Sequence, residues 1–504
     1  MGKDGKLTPI GGGYYKKKAE FMMLKLKKGS EEPKAKREKR EPSTAMSFAV
    51  FLTAMAIMLL GIVVLGYDIH IVMLVVLAFA CIASAALGYT FDDLVECMKK
   101  PLGQSMSAMI IFIFIGIIIA AWIYSGAVPA LIYYGLKYIT PQLFLPLGLI
   151  LCSVMSLATG TSWGTIGTMG LAMMGIGAGL GIPAPITAGM VLCGAHFGDK
   201  MSPMSDTTNL APAAAGTTLQ KHINAMWKTT GPAYIIVLVI FVVIGMGYQD
   251  GTMDRTTIDL MSSTLESLFD MSPVVLIPVV VLLTLNLLQF PAIPGMAIGS
   301  LLAAIIACTV QGVPVVDMIA GLNYGYSAST GVELVDTLLN RGGIQSMMYT
   351  FSLACIAISF GGVMEQVGYL RGVINSFVPR IKSDRLMVPV VILVTTLCTI
   401  TMGEVYLSLI LGGSLFRETF QKRGLKPEML SRLLEEGGTL TQVFVPWSTT
   451  SMFIVGAIGV TPAEYWPFAF LHWINPLLSI VLAMFGIFVL KEKTQTHAGN
   501  IQKE

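Results

Sequence analysis

The sequence predicts an all-α, polytopic membrane protein built from two inverted repeats. Hydrophobic residues make up 54% of its 504 positions and charged residues 12%, whereas a soluble globular chain carries about 25% charged residues. The apolar residues fall in long continuous runs, and about 20 such residues let one helix cross the ~30 Å hydrocarbon layer of a bilayer. The runs occupy residues 46–66, 70–88, 105–124, 230–248, 273–289, 293–310, 345–364, 386–400 and 468–490.

A repeat becomes visible when the chain is shifted by 243 residues without a gap. In that register, helix-breaking and hydroxyl residues of the first half meet the same residue type in the second half. The matched pairs include Gly88 with Gly331, Pro146 with Pro389, Gly160 with Gly403, Pro203 with Pro446, Ser205 with Ser448, Thr207 with Thr450 and Gly216 with Gly459. Because glycine and proline set where helices end or bend, the shared register indicates two copies of one helical plan.

Loop charge predicts that the two copies are inverted. Basic residues cluster in loops of the first half that do not correspond to the basic loops of the second half. In the first half they are Lys99, Lys100, Lys221 and Lys228; in the second half they are Arg380, Lys382, Arg385, Arg417, Lys422, Arg423, Lys426 and Arg432. Since basic loops mark the cytoplasmic side, equivalent loops are expected on opposite faces of the membrane. Each repeat is expected to hold about five crossings, a re-entrant hairpin and a broken helix.

These assignments divide the chain into five parts. They are a lysine-rich cytoplasmic tail (1–45), a first repeat (46–248), an acidic extracytoplasmic connector (249–272), a second repeat (273–490) and a cytoplasmic tail (491–504). Both termini are expected in the cytoplasm and the spans in a bacterial-type cytoplasmic (inner) membrane. A lysine-rich tail beside a span is better explained by the positive-inside rule and contact with membrane lipid than by a nucleic-acid partner.

Two polar interruptions recur at equivalent places in the repeats. The first is a glycine- and hydroxyl-rich tip, 158–165 in the first half, which includes Thr161 and Ser162 and has the counterpart 401–406 with Glu404. Glycine beside Thr and Ser weakens a helix at membrane depth, and such backbone is tolerated only inside protein or beside a water-filled cavity. A close helix contact through small residues is the structural alternative for single glycines.

The second interruption, residues 196–209, places charges where an apolar span should continue. It contains His196, Asp199, Lys200, Asp206 and Asn209 together with hydroxyl residues. Charges at bilayer depth cost about 2.5–3.5 kcal/mol each and therefore mark function. Gly198 and Pro203 are expected to unwind the helix there, which leaves oxygen ligands suited to Na⁺, although the following helix N-terminus would favour an anion.

The charges are not duplicated, although the scaffold is. Under the 243-residue shift Asp206 meets Thr449 and Glu404 meets Thr161, which predicts one asymmetric site where Asp206 and Glu404 meet. A partly desolvated carboxylate holds a proton more readily and can alternate between H⁺ and Na⁺. The expected cation- and proton-binding residues are Asp199, Asp206, Glu404, Thr161, Ser162, Ser205, Thr207, Thr208 and Asn209. Accessory roles are assigned to Lys200, His196, Ser448, Thr449 and Thr450. Lys200 is expected to form an ion pair with Asp199, which either opens when a cation arrives and binds Asp199 or is purely structural.

Other classes of protein are disfavoured. The sequence has no G-x-x-x-x-G-K-[ST] loop for ATP and no TVGYG filter, and its histidines lack zinc-binding spacing. No Ser-His-Asp or Cys-His arrangement suggests an enzyme, and no cofactor is expected beyond Na⁺ as the transported ion. His222 and His472 are expected at the membrane interface.

The run Gly198-Asp199-Lys200-Met201-Ser202-Pro203-Met204-Ser205-Asp206-Thr207-Thr208-Asn209-Leu210-Ala211-Pro212 closely resembles the signature of the NhaC-type sodium/proton antiporters. The run 159–164 resembles that family's earlier motif, and the likeness spans roughly residues 46–490. The resemblance implies membership of the ion transporter superfamily, with a scaffold domain, a transport domain that carries two hairpins, and a homodimer. It also implies relatives that exchange malate and protons for sodium and lactate.

Two functions follow from these observations. The first is exchange of Na⁺ (or Li⁺) for H⁺ by alternating access, supported by three candidate carboxylates and by the expectation that no arginine lies in a midplane segment to hold a carboxylate substrate. The alternative is a sodium- and proton-coupled organic-anion exchanger of the malate/lactate type, because hydroxyl-rich tips and half-helix N-termini bind carboxylates without arginine.

Overall fold

The computed structural model describes residues 39–248, 255–288 and 290–491. Within these ranges the chain folds into helices of α, π and 3₁₀ type, with one isolated bridge between Leu425 and Lys491. Most of the predicted tail 1–45, the start of the predicted connector 249–272 and nearly all of the tail 491–504 lie outside the described residues.

The helices of the first repeat begin and end close to its glycines and prolines. They are α1 (Thr44–Met58, continued by a π turn Leu59–Val64), α2 (Ile69–Ala85), α3 (Phe91–Gln104), α4 (Met106–Tyr124), α5 (Ala127–Tyr138), α6 (Pro141–Thr159), α7 (Ser162–Thr165, continued by a π turn Ile166–Gly170), α8 (Leu171–Gly179), α9 (Ala184–Met201), α10 (Asp206–Ala215), α11 (Leu219–Met226) and α12 (Thr230–Met246).

The remaining α-helices belong to the predicted connector and the second repeat. They are α13 (Arg255–Leu268), α14 (Ile277–Leu287), α15 (Ala292–Thr309), α16 (Val315–Tyr324), α17 (Glu333–Leu339), α18 (Ile344–Gln366), α19 (Tyr369–Phe377), α20 (Asp384–Met402), α21 (Val405–Lys422), α22 (Pro427–Gly437), α23 (Thr449–Ile458), α24 (Pro462–Tyr465) and α25 (Phe470–Met484). Short 3₁₀ turns cover Pro273–Leu276, Val378–Arg380, Thr441–Phe444 and Trp466–Phe468.

Helix bounds recur at the spacing of the sequence repeat. Helix α6 covers 141–159 and α20 covers 384–402, while α10 covers 206–215 and α23 covers 449–458. Both α6 and α20 end at a glycine in the left-handed conformation, Gly160 with φ +70° and Gly403 with φ +64°. A side chain at either position would be strained, so the matched glycines fix the same helix ends in both halves.

The length and hydropathy of the helices fit a membrane protein. Six helices among the described residues are long and apolar enough to cross a bilayer, and up to nine spans result if each of three bent pairs counts as one. Only 33% of the apolar window of α1 and 39% of that of α15 is buried inside the protein, which leaves apolar surface on these helices for contact with lipid. The predicted all-α, polytopic fold class is confirmed, whereas the number of crossings per repeat remains a prediction.

Close packing of α9 on α6 brings the polar end of α9 into the protein. A Cβ atom on Gly198 would lie 2.2 Å from the Ser153 carbonyl oxygen and 2.5 Å from the Leu157 nitrogen. Gly198 is helical, so the prediction that it helps to unwind the helix is wrong. It is a glycine because the two backbones approach too closely for a side chain.

Candidate cation-binding site

The first repeat's broken helix opens between α9 and α10. Ser202 to Ser205 are non-helical, and Ser205 caps α10 by accepting from the Thr208 amide. Thr208 Oγ1 donates to the Asp199 carbonyl at 3.1 Å, and Asn209 Nδ2 donates to the Pro203 carbonyl at 2.9 Å. Thr208 and Asn209 therefore satisfy carbonyls that the break sets free, and their side chains hold its shape.

The hydroxyl-rich tip of the same repeat lies against this break. Thr161 caps α7 by accepting from the Gly164 amide at 3.2 Å, and Ser162 Oγ donates to Asp199 Oδ2 at 3.2 Å. A Cβ atom on Gly160 would meet the Ser205 nitrogen at 3.0 Å. The two predicted interruptions of the first half thus form one site, with the tip oriented by its helix cap.

A cavity of about 230 Å³ lies between the tip, the break and the second repeat. Thr161, Ser162, Ser205 and Thr207 contribute hydroxyl-bearing residues to its wall. Among the described residues that line it, the charged ones are Asp199 and Asp206. Asp199 is only 5% exposed, whereas Asp206, the first residue of α10, is exposed. Two carboxylates without a basic neighbour in the wall make this cavity attractive to a cation.

The second repeat completes the wall through side chains near its own tip and break. Tyr406 Oη donates to Asp206 Oδ2 at 2.8 Å. Thr450 Oγ1 donates to Gln442 Oε1 at 2.7 Å and accepts from Trp163 Nε1 at 3.1 Å. The Trp163 ring is stacked 4.8 Å from Phe453, so an aromatic contact fixes the tip of one repeat on the broken helix of the other.

Glu404 does not meet Asp206, and that prediction is wrong in this structure. The Glu404 side chain is 1% exposed, accepts from the Leu407 amide at 3.1 Å and is absent from the cavity wall. It occupies the cap of α21, as its repeat partner Thr161 caps α7. Free amides and the helix dipole attract a carboxylate at this position, so Glu404 turns toward its own helix and Tyr406 reaches Asp206 instead.

Lys200 does not pair with Asp199, contrary to the sequence prediction. Lys200 Nζ lies 2.5 Å from Glu435 Oε2 on α22, and both side chains are completely buried. The ammonium points away from the carboxylate next to it in sequence because neighbouring residues of a helix face different directions. An ion pair therefore joins the end of α9 to the second repeat.

The other accessory residues lie around the cavity without all reaching it. His196 contacts the Leu192 carbonyl and stacks edge-on against His472, with ring centroids 4.8 Å apart. Ser448 caps α23 and donates to the Gln442 carbonyl at 2.7 Å. The Thr449 amide donates to the Gly403 carbonyl at 2.8 Å. Of the assigned accessory residues, Thr450 lines the cavity and the others support its frame.

Several buried residues were missed or misplaced by sequence reasoning. Arg432 was assigned to a loop, yet it is 1% exposed within α22 and lies 3.5 Å from Glu436; it does not line the cavity. His222 and His472, expected at the interface, are buried. The sequence repeat contains a signal for these residues, because under the 243-residue shift α22 corresponds to residues 184–194 of the buried helix α9. That correspondence indicates that the charged residues of α22 are buried, as Asp199 and Lys200 are.

The donor set fits a weakly held cation better than a resident metal. Within the described ranges, no group of three or more His, Cys, Asp or Glu side chains converges on a metal position. Two carboxylates with hydroxyl oxygens nearby suit an ion such as Na⁺, which prefers hard oxygen ligands.

Comparison with known proteins identifies the family. The model of the Na⁺/H⁺ antiporter family matches residues 194–487, which include the break between α9 and α10 and nearly all of the second repeat. The chain belongs to the Na⁺/H⁺ antiporter family. It is therefore a multi-pass membrane antiporter, and the family predicted from residues 198–212 is confirmed.

Individual relatives cover nearly the whole chain. The malate-2H⁺/Na⁺-lactate antiporter of Bacillus subtilis is 37% identical over 88% of this chain and 94% of its own length. The Na⁺/H⁺ antiporter NhaC of Alkalihalophilus pseudofirmus is 36% identical over 90% of this chain and 98% of its own. The arginine/ornithine antiporter ArcD of Halobacterium salinarum is 32% identical over 89% of this chain and 93% of its own. Relatives that align with nearly the whole chain are thus named for different substrates.

Proposed function

We propose that this antiporter exchanges Na⁺ (or Li⁺) for H⁺ across the cytoplasmic membrane by alternating access. The observation that carries the proposal is the cavity whose charged wall residues are the two carboxylates Asp199 and Asp206. A cavity of this charge attracts a small cation and repels a free anion. The NhaC relative, at 36% identity, supports the same assignment.

Competition between the two ions at the carboxylates couples their movement. Asp199 is buried, and Asp206 adds a second negative charge beside the same cavity. Because a buried carboxylate near a like charge is costly to keep ionised without a partner, the site takes up either Na⁺ or a proton. Ser162 donates to Asp199 and Tyr406 donates to Asp206, and these contacts orient both carboxylates toward the cavity. Release of protons on arrival of Na⁺ is then the exchange step.

Organic-acid exchange coupled to sodium and protons is the second candidate. The volume of the cavity, about 230 Å³, is far larger than one bare ion needs, because a volume of about 10–15 Å³ is enough to hold a water molecule. The malate-2H⁺/Na⁺-lactate relative also favours it. Buried Arg432 contacts Glu436 and does not line the cavity. Its positive charge therefore does not balance that of an organic anion in the cavity, and such an anion would have to enter with cations bound.

Purified protein in liposomes separates the two candidates. With an acidic lumen and a pH-sensitive dye inside, NaCl or LiCl added without any organic acid should raise the internal pH, while choline chloride should not. Liposomes without protein provide the leak control. A response that appears only when malate or lactate is also supplied would assign the protein to organic-acid exchange.

We also propose an arrangement in the membrane. The two repeats lie inverted, both termini face the cytoplasm, and the protein is a homodimer surrounded by lipid. The basic residues of the loop between α21 and α22, which include Arg423 and Lys426, support the cytoplasmic side for that loop. Cross-linking in native membranes, compared with detergent-solubilised protein, tests the dimer.

A further inference from the structure

A stripe of polar residues runs along one face of α22. Glu428, Ser431, Glu435 and Thr439 follow one another at spacings of three, four and four residues, which places them on the same side of a helix. Thr439 lies just past the end of α22, but its amide still donates to the Glu435 carbonyl at 3.0 Å. The first repeat has no equivalent stripe, because the residues at the corresponding positions are Pro185, Ala188, Leu192 and His196.

One end of the stripe forms part of the cation-binding cavity. Thr439 lines that cavity, and its hydroxyl donates to Glu435 Oε2 at 2.5 Å. Lys200 Nζ lies 2.5 Å from the same oxygen. Glu435 is completely buried, so a single hydroxyl group separates a buried carboxylate from the cavity in which Na⁺ and H⁺ compete.

The other end of the stripe reaches a second cavity. This cavity has a volume of about 150 Å³ and is lined by Glu428 with Lys221, Asn224 and Lys228. His222, next to these residues on α11, is buried, and its Nδ1 lies 2.9 Å from Ser431 Oγ. By the proposed topology, this second cavity opens to the cytoplasm.

Two atoms, one in the stripe and one on the adjacent helix α11, have no hydrogen-bond partner among the described residues. They are Glu435 Oε1 and His222 Nε2, and both are buried. A buried carboxylate oxygen and a buried imidazole nitrogen without partners are costly unless they exchange protons or bind water. They belong to adjacent helices that meet at Ser431.

We propose that the polar stripe of α22 conducts protons between the cation-binding cavity and the cytoplasmic side, with Glu435 as its intermediate carrier. The inference rests on the proposed exchange of Na⁺ for H⁺. A proton that leaves a cavity carboxylate passes to the Thr439 hydroxyl, which gives its own proton to Glu435. Lys200 keeps its charge beside the now neutral carboxyl, and because a buried charge without its partner is costly, Glu435 holds the proton only briefly. A half-turn of the neutral carboxyl group exchanges its two oxygens and places the proton gained from Thr439 on the side of His222 Nε2. His222 accepts that proton and passes it to water in the second cavity.

The neighbouring residue Glu436 provides a matched control. It is as deeply buried as Glu435, but its Oε1 accepts from Thr229 Oγ1 at 2.6 Å and lies near Arg432. It is not in the stripe and does not line the cavity. Loss of its charge therefore tests burial and ion pairing without touching the proposed conductor.

The experiment compares two fluxes in the same liposomes: Na⁺-driven proton movement and exchange of radiolabelled Na⁺ for unlabelled Na⁺. Glu435→Gln should lower the proton flux about 100-fold or more relative to Na⁺/Na⁺ exchange, since a positioned proton-transfer group contributes about 10²–10⁴-fold. Glu436→Gln should leave the ratio of the two fluxes unchanged. Thr439→Val should lower the ratio as Glu435→Gln does, and Thr439→Ser should restore it.

The outcomes separate the inference from the proposed function. If wild-type protein moves no protons in response to Na⁺, the proposed function fails before the variants are compared. If the two fluxes fall together in Glu435→Gln and Thr439→Val, or if neither ratio changes, the stripe is structural and the inference is overturned. Thr439→Val alters no charge, so it decides the matter even if Glu435→Gln does not fold.

Discussion

At the scale of single residues, the site depends on where each carboxylate finds its hydrogen-bond donors. Asp206 stands at the start of α10, where it faces the cavity and accepts from Tyr406 at 2.8 Å. Glu404 stands at the cap of α21 and accepts from a backbone amide. The two carboxylates, equally prominent in the sequence, therefore have different surroundings, and only Asp206 is available to an ion in the cavity.

We expect Asp206→Asn to reduce Na⁺-driven proton flux to the level of protein-free liposomes. The amide keeps the size of the side chain and can still accept from Tyr406, but it carries no charge and does not bind a proton near neutral pH. Flux in liposomes is the measurement, and an unchanged elution profile in size-exclusion chromatography checks folding. Exchange at the wild-type rate would remove Asp206 from the site.

Glu404→Gln is the companion variant. Its amide oxygen can still accept from the Leu407 amide, so we expect exchange to persist and the free energy of unfolding to fall by about 0.5–2 kcal/mol, the range for weakened helix caps. Thermal unfolding in detergent and the flux assay measure the two effects. Abolished flux in a folded variant would mean that Glu404 reaches the ion in another conformation of the cycle.

At the scale of elements, the position of the break in the helix is fixed by packing as much as by proline. Helix α9 remains helical through Met201 because Gly198 lets it lie directly on the backbone of α6. The unwound segment Ser202–Ser205 follows, where Ser205, Thr208 and Asn209 satisfy the free carbonyls and amides. The carboxylates of Asp199 and Asp206 thus come from two half-helices.

We expect Gly198→Ala to destabilise the protein by about 1–3 kcal/mol, the usual cost of overpacking a tight contact. The new methyl group would lie 2.2 Å from the Ser153 carbonyl, and backbone cannot move aside cheaply. Gly103→Ala is the matched control, because no atom lies within 4 Å of a Cβ there. It should be neutral or stabilise α3 by up to about 1 kcal/mol. Similar unfolding temperatures for both variants would contradict this account.

At the scale of the whole molecule, buried charges join the two repeats. Lys200 of the first repeat and Glu435 of the second form a completely buried ion pair. Removal of one partner strands a charge away from water, whereas removal of both leaves an apolar contact. The end of the first repeat's broken helix is therefore tied to the helix that carries the proposed proton path.

We expect Lys200→Met to destabilise the protein by about 3–5 kcal/mol and the double variant Lys200→Met, Glu435→Leu to recover much of that loss. Unfolding temperature in detergent is the measurement, and Lys422→Met is the control, since its ion pair with Glu418 is exposed. If the double variant is no more stable than Lys200→Met, the contact contributes through more than charge pairing.

The inverted arrangement predicts opposite accessibility for equivalent loops. A single cysteine at Gln421, exposed in the last turn of α21, should react with a membrane-impermeant thiol reagent only in inside-out vesicles. A cysteine at Glu464, after the second repeat's break, should react only in right-side-out vesicles or whole cells. A background in which the seven native cysteines are replaced provides the control. Labelling of both positions from one side would contradict the inversion.

The sequence by itself determined the class of protein, the repeat and the family, because these depend on hydropathy, on helix-ending glycines such as Gly160 and Gly403, and on the run 198–212. It also identified Asp199 and Asp206, since charges inside an apolar run stand out. Only the tertiary structure decided that Glu404 caps a helix, that Lys200 pairs with Glu435, and that Tyr406 reaches Asp206. Those contacts join residues about 200 positions apart or depend on the direction of one side chain, and neither property is encoded in local spacing.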